Sequence, residues 1–401
     1  MKRVLKIILK SGKDDAVKRY HPWIFSGAIK KMEGPVYDGC YTEVFSNKNE
    51  YLGCGVYQDA TIAVRIMAFA PERAVGFEAG FWKQKIEAAY RLRQHCRLTD
   101  NDQTNAYRLV HGEGDHLPGL IIDHYNGHIV IQIHATGLYG YIEHIASAIR
   151  EIYGSKLKSI YDKSAETLPA PFWTDKQPAG FIHGEATEVE ILENGHRFLV
   201  DIIKGQKTGF FIDQRDNRQL LAHYARGRKV LNTFSYTGGF SVYALKAGAT
   251  EVHSVDSSAR ACDLTDKNIL LNQDTDKKHK SIATDAMEYL RQCKKEDYDL
   301  LVLDPPAYAK HQHVKHNAVQ GYKRLNLEAL KAIKTGGILF TFSCSQVIDM
   351  NLFRSTVLAA AILAGRQVRI LHQMTQGADH PVNIFHPEGQ YLKGLALMIN
   401  D

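Results

Sequence analysis

The sequence predicts a mixed α/β protein, with a mostly parallel seven-stranded sheet in its C-terminal half behind a small β domain and an α+β middle region. Three observations predict it. From about Leu220 onward, seven apolar runs (KVLNTF, EVHSVD, SIATD, DLLVLD, GILFTFS, QVRILHQ and LKGLALMI) alternate with helical stretches. That alternation implies right-handed βαβ units and a parallel sheet, with the last strand antiparallel. Before residue 70 the runs are short, β-like and broken by glycine, and two Asn-Gly dipeptides further on mark hairpin turns.

Taken in order, VLKIIL, WIFSGAI, YTEVFS, LGCGVY and TIAVRIMAF fill the stretch from Val4 to Phe69 and define a β domain over residues 1–70. Phe81, Ile86, Ala89 and Leu92 then recur at helical spacing, which predicts a helix over Phe77–Leu98. YRLVHGEGDHLPGLIIDHYNGHIVIQIHA reads as a hairpin pair turning at Asn126-Gly127. A helix near Tyr139–Tyr153 and a strand near Leu157–Tyr161 complete a middle region over residues 71–190. The proline-rich Glu166–Gly180 reads as a linker or exposed loop. EVEILENGHRFLVDI forms a further hairpin, turning at Asn194-Gly195, and opens the C-terminal domain over residues 191–401.

Composition is that of an ordinary globular protein: 44% apolar, 23% charged and 10% aromatic in 401 residues. No apolar run approaches the roughly 18 residues that span a bilayer, and MKRVLKIILKSGKDD is too soon charged for a signal peptide. The six cysteines are scattered with no CxxC pair, which argues against a structural zinc site and for a reducing compartment, the cytoplasm by default. Charge is uneven. Residues 1–31 hold nine Lys or Arg against two Asp, while the rest of the chain nets −1. A basic segment on a near-neutral body is the footprint of a phosphate-rich partner, or a solvated face.

The chemistry concentrates in two segments, LLVLDPPAYAK (Leu300–Lys310) and GGILFTFSCS (Gly336–Ser345). Open α/β sheets keep their sites at the C-terminal ends of the strands. If both strands share one sheet, Asp304 and Cys344 meet at one rim, a pairing suited to covalent attack on a flat, electron-poor ring. The two prolines that follow, Pro305 and Pro306, hold Asp304 in an extended loop. Read structurally, Asp304 caps a loop and Cys344 is a small hydrophobe, although Ser343 and Ser345 beside it signal that the buried strand has ended.

A second constellation precedes them. VLNTFSYTGGFSVYAL runs a strand into a turn with Gly238 and Gly239, where backbone can approach a ligand beneath a helix N-terminus. The next strand ends on Asp256, placed to chelate ribose hydroxyls, and the third ends on Asp285, placed to bond an adenine amino group. Each also suits a helix N-cap. There is no GxGxxG, no GxxxxGK[ST] and no lysine in the first turn, so nothing cradles a chain of phosphates. A cofactor with ribose and adenine but no polyphosphate is S-adenosylmethionine. Its candidate ligands are Asn232, Phe234, Tyr236, Thr237, Gly238, Asp256, Ser257, Asp285, Ala286 and Asp304, joined by Phe210 and Gln214 from KTGFFIDQRDNR. The aromatics of that stretch either close over the cofactor or pack a domain seam. His311, His313 and His316 lack partners at ligand spacing, which favours a basic loop over a metal site, and no metal is expected.

Assembled, these residues resemble the RlmI-type family of large-subunit ribosomal RNA methyltransferases over nearly the whole chain. NTFSYTGGFS, DPPAYAK, FSCS and HPEGQYLKGL match in order a class I S-adenosylmethionine-dependent methyltransferase, whose sheet is Rossmann-like. The basic KSGKDDAVKRY followed by HPWIFSGAI is similar to a PUA domain, which implies RNA contacts at Lys13, Lys18, Arg19, His21 and Trp23. The resemblance implies methylation of cytosine C5 in 23S rRNA, on naked RNA or a large-subunit assembly intermediate, by a monomer or homodimer. Cys344 is then the nucleophile and Asp304 the partner of N3, with the base left open between Glu388 and a water. Related branches methylate guanine without such a cysteine. A 5-methyluridine or N7-guanine enzyme, and a non-catalytic RNA-binding assembly factor, stand as alternatives.

Overall fold

The computed structural model describes residues 4–73, 76–176, 178, 180–272, 278–309 and 312–400. They form two compact units, neither continuous in sequence. The first comprises Met1–Ile191, Val200–Phe210 and Ala378–Gly389; the second comprises Leu192–Leu199, Phe211–Gly377 and Gln390–Asp401.

The first unit contains two sheets. Strands Leu5–Leu9, Trp23–Phe25, Ile29–Glu33, Tyr41–Phe45, Tyr51–Tyr57 and Ile62–Phe69 form a six-stranded sheet. Leu5, Ile7 and Leu9 are fully buried while Lys6 and Ile8 are not, the alternation of a strand with one covered face. The second sheet has Ala106–His111, Leu120–Tyr125, His128–Ile133, Ser159–Asp162 and Gly180–His183, with helices Ala79–His95 and Ile142–Tyr153 supplying residues to its core. Asn126 and Gly127 have φ of 51° and 87°, the left-handed pair that a two-residue hairpin turn requires.

Two features of this unit depart from the sequence reading. The proline-rich stretch does carry short turns, but it ends in strand Gly180–His183, paired antiparallel with Ser159–Asp162. Four residues with a register shift are too few to show a period. Residues 378–389 also belong here, although they lie between two strands of the C-terminal sheet. Their Asp379 is fully buried, accepts the Arg108 N–H at 3.0 Å, and lends its carbonyl to Arg93 Nη2 at 2.7 Å.

The second unit is built on seven strands: β1 (Lys229–Thr233), β2 (Glu251–Asp256), β3 (Lys278–Ala283), β4 (Tyr298–Leu303), β5 (Ile333–Ser343), β6 (Gln367–Met374) and β7 (Lys393–Asn400). Their order is β3-β2-β1-β4-β5-β7-β6, and β7 runs antiparallel to both neighbours. Helices α1 (Arg215–Ala225), α2 (Gly239–Lys246), α3 (Ala259–Asn272), α4 (Ala286–Gln292), α5 (Lys315–Ala332) and α6 (Met350–Ala364) intervene. Leu300, Leu301, Val302 and Leu303 are all buried, as a central strand covered on both faces must be. No helix among the described residues is long and apolar enough to cross a membrane.

Candidate active site

β4 and β5 are adjacent and parallel, with Leu303 aligned to Thr341, so Asp304 and Cys344 leave the sheet at one rim. Cys344 Sγ lies 3.8 Å from the carbonyl oxygen of Pro305, the residue after Asp304. The loop after β4 is tied to the end of β5 by Ser345, whose Oγ accepts the Ala309 N–H at 3.2 Å and lies 3.0 Å from the Tyr322 hydroxyl. Tyr308 packs on Tyr322 at 4.7 Å between ring centroids, and Gly321 on α5 makes room, since a Cβ there would sit 2.9 Å from the Tyr308 ring.

Asp304 Oδ2 accepts a hydrogen bond from Gln214 Nε2 at 3.0 Å, and Gln214 Oε1 accepts one from Asn217 Nδ2 at 2.6 Å. Asp213 accepts from the Tyr391 hydroxyl at 2.6 Å through Oδ2, while its Oδ1 is buried with no partner among the described residues. Burial first, and the Asp213 charge second, push the Asp304 carboxyl up to about 7, against the opposing pull of Gln214 and Arg218. A carboxyl poised near neutrality serves as an acid. Burial, Asp304 and Asp213 push the Cys344 thiol up to about 12, and Lys393 opposes them. A proton on Asp304 therefore removes one of the two carboxylate charges that disfavour the thiolate.

Asp213 and Lys393 were absent from the sequence-based set. The signal for Asp213 was its place beside Gln214 in KTGFFIDQRDNR. For Lys393 it was a lysine opening an otherwise apolar strand.

The turn after β1 holds the second constellation. Phe234, Tyr236 and Gly238 have φ of 56°, 46° and 76°, and a Cβ on Gly238 would lie 2.6 Å from Thr265 Cγ2. Thr265 Oγ1 donates to the Tyr236 carbonyl at 2.9 Å, and Asn268 Nδ2 donates to the Thr237 carbonyl at 2.8 Å. Asn232 donates to Ser241 Oγ at 2.9 Å and leaves its own Oδ1 buried with no partner among the described residues. Asp256, at the end of β2, accepts the N–H of Tyr236 and of Ser258, each at 2.9 Å, with Ser257 exposed beside it. Asp285 caps α4 by accepting the Glu288 N–H at 2.9 Å, so its side chain does the work of an N-cap, and Ala286 is buried behind it. Phe211 meets the Tyr236 ring edge-on at 5.2 Å, and Phe210 is buried at the end of a first-unit segment. An open acceptor at Asn232, a turn kept clear by Gly238, a carboxylate at the end of β2 and no lysine in the turn together fit S-adenosylmethionine.

In the first unit Lys13, Lys18 and Arg19 are all exposed, and Lys18 also pairs with Asp14 at 2.7 Å. Trp23 Nε1 donates to Glu113 Oε1 at 2.8 Å, and the Trp23 ring lies 4.4 Å from His386, so both the indole N–H and part of the ring are engaged internally. His21 and His386 lie 3.7 and 3.8 Å from Glu388, and the three donor atoms fall within 4.8 Å of one another. His21 Nδ1 accepts the Trp23 backbone N–H at 3.2 Å, which in the neutral ring leaves Nε2 protonated toward Glu388. That tautomer turns an N–H toward Glu388 and leaves no lone pair on Nε2 for a metal. Glu388, one of the two candidate bases, is thus placed among first-unit residues. His313 and His316 are exposed; His311 and Lys310 lie outside the described residues.

Residues 172–374 match the family model for S-adenosylmethionine-dependent methyltransferases, and residues 7–69 match that for a PUA-like domain. Curated relatives named ribosomal RNA large subunit methyltransferase I include that of Aeromonas salmonicida, 39% identical with 98% of each chain covered. The protein of that name from Alteromonas mediterranea is 36% identical with 99% of each covered. Among solved structures, one from Streptococcus mutans assigned as an S-adenosylmethionine-dependent methyltransferase superposes with a TM-score of 0.81 at 22% identity, over 98% of this chain and 99% of that one. Another, assigned as a methyltransferase and solved in complex with SAH, superposes with a TM-score of 0.83 at the same identity and coverage, and both share this fold.

Proposed function

The chain belongs to the S-adenosylmethionine-dependent ribosomal RNA large subunit methyltransferase I family, and from that premise we propose that it methylates C5 of a cytosine in 23S rRNA through a covalent cysteine adduct. The observation that carries the cytosine reading is the Asp304 carboxyl, raised to about 7 at the rim it shares with Cys344. Cytosine N3 is an acceptor and needs a donor opposite it. A protonated Asp304 is that donor, whereas uracil N3–H asks for an acceptor.

Cytosine C5 is too weak a nucleophile to take a methyl group directly. The Cys344 thiolate adds to C6, the C5–C6 double bond opens, and the Asp304 proton passes to N3, which leaves C5 enamine-like. Bound S-adenosylmethionine supplies an electrophilic methyl group. Asn232, the Gly238 turn and Asp256 would hold it, with Ser257 and Asp285 at the neighbouring strand ends. After C5 is methylated its proton leaves to a base, the Cys344–C6 bond breaks, and Asp304 recovers its proton from N3. The target base is stacked in RNA, so an unpaired or flipped nucleotide is required. The exposed Lys13 and Arg19 of the PUA-like domain would bind its phosphates.

RNA carrying 5-fluorocytosine tests the whole reading. Fluorine cannot leave as a proton does, so the adduct persists, and mass spectrometry should find the RNA attached to the peptide containing Cys344. Attachment elsewhere, or an unchanged 5-methylcytosine content in rRNA from a deletion strain, would sink the assignment.

A further inference from the structure

We propose that Lys393 is the positioning residue for the nucleophile, its buried ammonium providing the counter-charge that stabilises the Cys344 thiolate as it forms. This rests on the cysteine reading above.

Lys393 is 3% exposed, and among the described residues its ammonium forms no salt bridge with a carboxylate. An ammonium taken out of water without an anion is costly, and its neutral form is then favoured. What Lys393 has instead are two carbonyl oxygens, of Ser345 at 2.7 Å and of Tyr391 at 2.6 Å. Its backbone pairs with Ser343 across the β5–β7 ladder. The lysine is thus anchored to the residue before Cys344 and bonded to the residue after it.

The neighbouring contact is equally tight. Gly394 pairs with Phe342, and a Cβ on Gly394 would lie 2.6 Å from the Phe342 ring, so the two strands meet there without slack. The charged and titratable groups around the pair are Asp304 after β4, Asp213 before α1, Tyr322 on α5 and Asp349 at the head of α6. Asp304 and Asp213 disfavour the thiolate. Lys393 is the cation that favours it, and Cys344 in turn favours the ammonium.

Burial brings the Lys393 amine down to about 8, so the pair gives up its first proton not far above neutrality. Two arrangements of the remaining proton share that state, thiol beside amine and thiolate beside ammonium. The second attacks. Sγ bonds to C6 as the C5–C6 π bond breaks, the electrons pass to N3 with the Asp304 proton, and the thiol's own proton has already left to solvent. When the adduct collapses, the ammonium again faces the departing thiolate.

Alkylation of Cys344 by iodoacetamide, followed peptide by peptide with mass spectrometry across pH, reads the thiolate without RNA. In the wild-type chain the rate should rise with pH as the thiolate forms. Lys393→Met should slow alkylation about tenfold at pH 7, where the amine is protonated, and make little difference at pH 10, where it is not. Lys393→Arg should retain most of the reactivity. SAH binding reports folding, and Lys393→Gln, which still donates to a carbonyl, is the second neutral variant. An alkylation rate at pH 7 unchanged from wild type in either folded neutral variant overturns the proposal. Methyl transfer surviving in Cys344→Ala would instead remove the nucleophile reading and leave the alkylation result standing.

Discussion

At the scale of single residues the site is a set of opposed charges around Cys344. Cys344→Ala should abolish methyl transfer, at least about a thousandfold, while SAH affinity by calorimetry changes little, because the ligands expected for the cofactor are other residues. Asp304 carries a pH signature. Its carboxyl is raised to about 7, so its contribution to folding is fully present below the ordinary carboxylate range and is lost as pH rises through 7. Asp304→Asn keeps the acceptor for Gln214 and removes that loss. Chemical denaturation should find it about 1–3 kcal/mol more stable than wild type at pH 8 and little changed at pH 4, with activity down by at least about a hundredfold. Greater instability of Asp304→Asn at pH 8 would contradict the buried-acid account. Asp304 and Cys344 were legible in the sequence because each ends an apolar strand, a local pattern. Asp213 and Lys393 were not, because their roles come from Tyr391, Ser343 and Ser345, which only the folded sheet brings to them.

At the scale of elements, seven strands and two Asn-Gly turns were readable because each repeats a period or a dipeptide with one physical solution. Strand Gly180–His183 was too short to show one. Asp285 belongs at this scale too: its side chain caps α4 through Oδ1, a contact that strand-end position alone did not show. The turn after β1 combines both kinds of constraint. Gly238 has φ of 76° and stands 2.6 Å, at its would-be Cβ, from Thr265 Cγ2. Gly238→Ala should therefore cost about 1–2 kcal/mol in backbone strain, beyond the clash itself. SAH affinity should fall about tenfold or more as the turn shifts. Adding Thr265→Ser removes Cγ2 but keeps the hydroxyl that donates to Tyr236, so it should recover the steric part of the loss and not the strain. Equal SAH affinity for wild type and Gly238→Ala would show that the turn does not shape the cofactor site.

At the scale of the whole molecule, composition spoke through distribution: the excess of charge lies in residues 1–31, of which Lys2 and Arg3 lie outside the described residues. Contiguity, by contrast, was not legible. Residues 378–389 belong to the first unit because Asp379 completes the hydrogen bonding of Arg93 and Arg108, a partnership nearly 300 residues apart in sequence. The structure also divides the basic segment by availability. Lys13, Lys18 and Arg19 are all exposed, but Lys18 is paired with Asp14, and Trp23 is bonded to Glu113. Phosphate binding releases counterions, and each contact to single-stranded RNA contributes about 0.7 to the slope of log affinity against log salt. Lys13→Gln with Arg19→Gln should then weaken binding of an rRNA fragment and flatten that slope by about 1.4 in a fluorescence-anisotropy salt series. Lys18→Gln should flatten it less, since part of its charge is already spent on Asp14. SAH affinity and the Cys344 alkylation rate should not move in any of these variants. A slope unchanged by the double substitution would mean that the basic segment is a solvated face, and that rRNA is held elsewhere on the chain.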